Sequence, residues 1–111
     1  MAGWYEISQA NDGQYRFVLK AGNGEVILAS ELYKAKASAQ VGIESVQRNS
    51  VDASRYERLE AKNGKPYFNL KAANYQIIGR SQFYSSEQSR EKGIESVKNN
   101  GPTTKIKELI A

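Results

Sequence analysis

Four polar residue types recur at one fixed interval, since Lys20, Asn23, Ser30 and Tyr33 return 51 positions later as Lys71, Asn74, Ser81 and Tyr84. An ammonium, a carboxamide and two hydroxyls, present twice, are groups that could line a site for a small polar ligand. Each also has a plainer use. Asparagine forms turns, serine bonds to nearby backbone, and a tyrosine ring packs between helix and sheet with its hydroxyl at the rim.

A second chemistry is readable in the later half, where Arg58, Lys62, Lys65 and Lys71 interleave with Tyr67 and Tyr75. Cations for phosphates and aromatic rings for bases suit single-stranded nucleic acid. Charge is unevenly placed: residues 1–54 carry five Lys/Arg against six Asp/Glu, and residues 55–111 carry eleven against six. The excess is small and no RNP-like signature accompanies it, so a solvated basic surface is the competing reading.

Enzyme chemistry has little to work with. The chain has no histidine and no cysteine, which removes Ser-His-Asp and Cys-His nucleophiles, disulfides, and thiolate or imidazole metal sites. Glu6 and Glu57, like Glu44 and Glu95, occupy equivalent positions, but duplication generates such carboxylate pairs by itself. Gly22-x-Gly24 lacks the Lys-Ser/Thr ending of a phosphate loop. The expectation is a non-enzymatic protein without metal or cofactor.

The elements that would position these residues follow from the repeat. Shifting the sequence by 51 aligns Tyr5–Ser50 with Tyr56–Gly101, and 19 of the 46 pairs are identical. Each copy predicts three strands and a helix. In the first, Trp4–Ser8 and Tyr15–Lys20 flank the hairpin signal Asp12-Gly13, and Asn23-Gly24 leads into a short strand at 25–29. Asn63-Gly64 repeats the first turn. Asn74-Tyr75 replaces the second, so either that turn differs or Asn74 takes the left-handed conformation. Pro66, lacking an N–H, must start a strand or lie at an edge.

Helices are expected over 36–48 and 87–99, with Ala39, Ile43 and Val46 as one narrow apolar stripe. Gly42 and Gly93 sit mid-helix at a cost of roughly 1 kcal/mol each, which close approach of helix to sheet would explain. Ser85 and Gln88 read as a capping box for the second helix and Gly101-Pro102 as its stop; the first has only Lys34-Ala35 at its start. Extended stretches follow at 54–60 and 105–110.

A chain of 111 residues with 40% hydrophobic and 25% charged content supports one domain, here residues 1–54 as the first repeat and 55–111 as the second. No apolar run approaches the roughly 18 residues that cross a bilayer, and the stretch from Met1 to Glu6 lacks a signal-peptide pattern, so a cytosolic location is the default expectation.

Phe-x-Leu-Lys-Ala-x-Asn at 17–23 and 68–74, Ser-x-x-Tyr at 30–33 and 81–84, and Gly-Ile-x-Ser-Val at 42–46 and 93–97 resemble the YegP-like family of small bacterial proteins in its tandem-duplicated form. That family is one of unknown function. The resemblance implies an α+β fold of two β-β-β-α-β repeats sharing a single antiparallel sheet, with helices packed on it and the final strands exchanged, so that 105–110 pairs with the first repeat. Function is expected to be that of an interaction or binding module, with a protein partner or self-association through sheet edges. Nucleic-acid or polar small-ligand binding are the alternatives.

Overall fold

The structure, a computed structural model, describes residues 3–110; Met1 and Ala2, part of the N-terminal stretch read above, and Ala111 lie outside the described residues. β1 (Trp4–Gln9), β2 (Tyr15–Lys20) and β3 (Val26–Ala29) form a meander that α1 (Lys36–Asn49) follows. After a single 3₁₀ turn at Ala53–Arg55 the pattern repeats as β4 (Tyr56–Glu60), β5 (Pro66–Lys71), β6 (Ile77–Arg80) and α2 (Glu87–Asn100), and β7 (Ile106–Leu109) closes the chain. All seven strands share one sheet in the order β4-β5-β6-β3-β2-β1-β7.

The sheet is mixed rather than antiparallel throughout. β7 does pair with the first repeat, but it runs parallel to β1, with Tyr5 opposite Ile106 and Ser8 opposite Leu109. The cause is where α2 ends. Its last residues lie beside the start of β1, where Asn100 Oδ1 accepts from Gly3 N–H at 2.8 Å and the Gly101 carbonyl accepts from the Tyr5 hydroxyl at 2.7 Å. A strand leaving that point sets out in the same direction as β1, as helical crossovers commonly arrange.

Alternation puts Tyr5, Ile7, Phe17, Leu19, Phe68 and Leu70 on one face, where they join Ala39, Ile43 and Val46 of α1 and Ile94 and Val97 of α2 in one core. Gly42 and Gly93 are explained by tyrosine rather than by the sheet alone. A Cβ on Gly42 would stand 2.7 Å from Tyr33 Oη and 2.8 Å from the Phe17 ring, and one on Gly93 would overlap Tyr84 Oη. These tyrosines stack on Phe17 and Phe68 with ring centroids 6.3 and 6.2 Å apart, so each helical glycine makes room for a two-ring layer.

Local punctuation differs from expectation in three places. The cap of α2 is Ser86, whose Oγ accepts from Ser89 N–H at 3.1 Å, not Ser85. Gly101 does end α2 as expected, but with right-handed backbone, φ −56°, rather than the left-handed cap glycine often supplies; glycine is needed there because a side chain would collide with Ser50 at the end of α1. Third, the β5–β6 turn keeps the form of its counterpart. Ala72 N–H donates to Gln76 O and Tyr75 N–H to Ala72 O, as Ala21 does to Glu25 and Gly24 to Ala21. Tyr75, not Asn74, therefore carries the left-handed backbone, at φ 68°.

That conformation costs a side-chain-bearing residue roughly 1–2 kcal/mol. Part of any relief by glycine is lost to its greater freedom in the unfolded chain. Tyr75→Gly is expected to stabilise the fold by about 0.5–1 kcal/mol, read as a higher urea midpoint at unchanged slope; a lower midpoint would mean the exposed ring makes contacts worth more than the strain.

Two buried tyrosines lock the helix ends. Tyr5 donates to Gly101 O, and Tyr56 donates to Ser50 O at 2.6 Å, each hydroxyl satisfying a carbonyl left over where a helix stops. Burial pushes both phenols above their ordinary value of 10.0. Above pH 10 the unfolded chain releases these protons while the folded chain holds them, so stability is full below pH 10 and falls as pH rises further. The urea midpoint should drop from pH 10 upward, and the Tyr5→Phe, Tyr56→Phe double variant should show a shallower drop.

Candidate functional site

The eight repeated polar residues do not converge on one pocket. Lys20 and Lys71 lie on the sheet face opposite the helices, paired with Glu6 at 3.2 Å and Glu57 at 2.9 Å. Asn23 and Asn74 brace their turns, each Oδ1 accepting at 3.1 Å from the backbone N–H two residues on. Ser30 and Ser81 stitch neighbouring strands, their Oγ accepting from Phe17 N–H at 2.8 Å and Phe68 N–H at 2.9 Å. Tyr33 and Tyr84 are on the helix side, where the Tyr84 hydroxyl is buried with no partner among the described residues. The structure does bring some members together across the repeats: Ser30 meets Ser81 in a hollow of about 310 Å³ at the β3–β6 seam, and Tyr33 meets Asn74 in a groove beside α1.

The basic and aromatic set is likewise divided. The Arg58 guanidinium grips Glu91 of α2 through Nε at 2.8 and 2.9 Å and Nη2 at 2.7 Å, and holds its carboxyl below the usual range. Lys71 and Asn69 do the same to Glu57. Two of the four cations are thus already matched by anions. Lys62 and Lys65 sit on the β4–β5 turn, whereas Tyr75 projects from the β5–β6 turn at the far end of β5. Tyr67 lies edge-on to Phe83, centroids 5.4 Å apart, on the face with Lys71.

Two further features carry no sequence motif. The first is the outer edge of β4. Phe68, opposite Arg58, turns its own N–H and C=O toward Ser81, so the N–H and C=O of Arg58 point away from the sheet. The corresponding edge of β1 is where β7 docks, beginning with Tyr5 N–H donating to Lys105 O at 2.9 Å. On β4, Tyr56 N–H is taken by the 3₁₀ turn, and beyond it no strand of the described residues pairs.

The second is the groove itself, about 570 Å³, between the first half of α1 and the β5–β6 turn. Tyr33, Ser38, Ser45, Asn74 and Gln76 give it hydroxyls and carboxamides; Val41 and Ile78 give it apolar walls. It runs on, past Ser45 and Asn74, into a shallower shelf of about 460 Å³ holding Arg48 and Asn49. Tyr33 and Asn74 were among the repeated candidates, while the signal that distinguishes this groove from its counterpart lies where the copies disagree, at Val41, Ala37 and Gln76.

The profile of the family described as "Domain of unknown function (DUF1508)" matches this chain twice, over residues 10–57 and 61–108. The chain belongs to the DUF1508 family. A UPF0339 protein of Acinetobacter baylyi is 79% identical over 109 residues, covering 98% of each chain. The UPF0339 protein YegP of Escherichia coli K12 is 62% identical over 108 residues, 97% of this chain and 98% of that one. Among solved structures, the solution NMR structure of the Escherichia coli protein of unknown function yegP superposes with a TM-score of 0.94 at 60% identity, covering 100% and 96% of the two chains. A UPF0339 protein from Shewanella oneidensis gives 0.93 at 63% identity, over 99% and 93%.

The phase of the DUF1508 match matters. Its two units end at 57 and 108, so the start of β4 and the strand β7 are the same stretch of motif. One copy pairs antiparallel with β5; the other pairs parallel with β1. Among the described residues, the duplicated unit therefore supplies one strand to cover two equivalent edges. No described helix of this DUF1508 chain is long and apolar enough to cross a membrane.

Proposed function

We propose that the protein is a non-enzymatic, cytosolic binding module that takes up one extended segment of a partner protein along the outer edge of β4. The observation that carries this reading is the unequal treatment of two equivalent edges, β1 covered by β7 and β4 left open. Strand addition draws affinity from backbone hydrogen bonds and selectivity from alternate side chains. The non-enzymatic part rests on a sequence without histidine or cysteine and on carboxylates at Glu6, Glu57 and Glu91 held below the usual range by hydrogen-bonded partners, the reverse of a poised general acid.

Charge selects the partner. On the covered edge, Glu108 of β7 pairs with Lys36 at the start of α1. The equivalent of Lys36 is Glu87, at the start of α2, so a strand entering beside β4 meets a carboxylate where Glu108 found an ammonium. A basic residue at that place fits. A second copy's β7, bringing Glu108, does not, and the charged edge thereby resists self-pairing.

The test uses a synthetic peptide with the sequence of residues 103–110 carrying Glu108→Lys, titrated into the ¹⁵N-labelled protein. Amide shifts at Arg58 and Glu60 are expected, with affinity several-fold above that of the unmodified peptide. Arg58→Pro, which removes the outward N–H, should abolish binding while Arg58→Ala retains it. No shift along β4 at millimolar peptide, or equal affinity for both peptides, sinks the proposal.

A further inference from the structure

The positions that line the groove beside α1 have counterparts in the other repeat, and the two sets have diverged. Adding 51 or subtracting it maps Val41 to Lys92, Ala37 to Gln88, Gln76 to Glu25 and Arg48 to Asn99, while Tyr33, Ser38, Gly42, Ser45, Ala72, Asn74 and Ile78 map to identical residues. The counterpart set carries Lys92 and Glu25 where the groove has Val41 and Gln76; Glu25 lies near enough to Tyr84 to reinforce the upward pKa shift that burial causes there. None of the ten residues lining the first groove is charged, in a chain with 25% charged residues, where two or three would be expected. The same substitutions that empty the groove of charge place an arginine at its end.

We propose that this groove is a binding site for a small molecule made of an uncharged ring with a donor and an acceptor side by side on one edge, joined to a single anionic group, adenosine monophosphate being a simple molecule of that make-up. Size agrees, since pockets of about 300–1,000 Å³ hold such ligands. Val41, exposed though apolar, and Ile78 offer the ring two apolar surfaces. Gln76 offers a paired donor and acceptor, the arrangement that reads the edge of adenine, and neither its carboxamide nor the Tyr33 hydroxyl has a partner among the described residues. Asn74 uses Oδ1 in its turn and keeps both N–H donors.

The anion goes to Arg48. It lies seven residues along α1 from Val41, two helical turns and roughly 10 Å, on the same side of the helix. It forms no ion pair among the described residues, unlike Arg58 and Lys71, so its charge is available to a ligand. A second cation for a diphosphate is missing from the shelf, which favours a single phosphate.

Titration of the ¹⁵N-labelled full chain with AMP, adenosine and inorganic phosphate tests this. AMP should give saturable shifts at Val41, Ser45, Arg48, Asn74 and Gln76. Arg48→Asn, the residue of the counterpart set, should weaken AMP by about 10-fold and leave adenosine unchanged, as expected for one charge-assisted contact. Val41→Lys, at an exposed position the counterpart set already fills with lysine, should abolish both. Absence of saturable shifts at these amides with AMP in the millimolar range overturns the proposal. So does a response to phosphate alone equal to that of AMP, which would mark a patch for anions only, or shifts confined to Lys62 and Lys65. Shifts here are separate from those expected along β4, so either site can fail without the other.

Discussion

Residues 1–54 produced alone are expected to give no folded monomer. Each helix covers strands of both repeats: α1 packs on β2 and also on β5 and β6, and α2 packs on β5 and also on β2 and β3. Removing residues 55–111 therefore strips Phe17, Leu28 and Ile43 of neighbours as well as taking β7 from β1. A unit of this length is marginal even with its core intact. The fragment should show collapsed amide dispersion, or fold only as an oligomer in which a second fragment replaces the missing repeat. Dispersed amide signals from a species of monomer mass would refute the shared core.

Phe17→Ala and Phe68→Ala should each cost about 3–5 kcal/mol, the range for deleting a buried aromatic ring. Both rings are fully buried, and each is the middle of a three-ring layer, Tyr5–Phe17–Tyr33 and Tyr56–Phe68–Tyr84. The neighbouring glycines have no side chain with which to fill the space. Total stability for a domain is of order 5–15 kcal/mol, so either loss should lower the melting temperature by roughly 10–20 °C. Because the core is continuous, both variants should unfold in one transition, with all amides of both repeats lost together. Separate melting of the two halves, seen by site-resolved hydrogen exchange, would contradict that.

Much of this architecture was legible in the chain itself. The repeat, the hairpin turns at Gly13, Gly24 and Gly64, Pro66 at the start of β5 and the apolar stripe of α1 are local signals, governed by backbone dihedrals and by period. What escaped was non-local or depended on small energy differences. The parallel direction of β7 is decided by where α2 ends, which no window around residues 105–110 records. Tyr75 was read out of the left-handed region by its side chain, yet the surrounding hydrogen bonds impose it at a cost smaller than remaking the turn. Ser86 and Ser85 are equally good caps on paper. Arg58 and Lys71 looked available because their anions are 33 and 14 residues away. Matching residues of the repeat proved mostly to hold turns and strands, while what sets the groove and the open edge apart from their counterparts lies at positions where the copies part company.

The attachment of β7 carries a further consequence. Four residues, none of them buried, hold it to β1, helped by the Lys36–Glu108 ion pair and by Lys105 and Lys107 over the Trp4 ring. Nothing in that interface identifies which polypeptide supplied the strand. Two molecules can trade their last segments, each docking on the other's β1 with every local contact preserved, and the trade becomes favourable only as concentration rises. Concentrated stocks should then contain reciprocal dimers with monomer-like spectra, which revert on dilution at the rate at which β7 peels away and without passing through the unfolded chain.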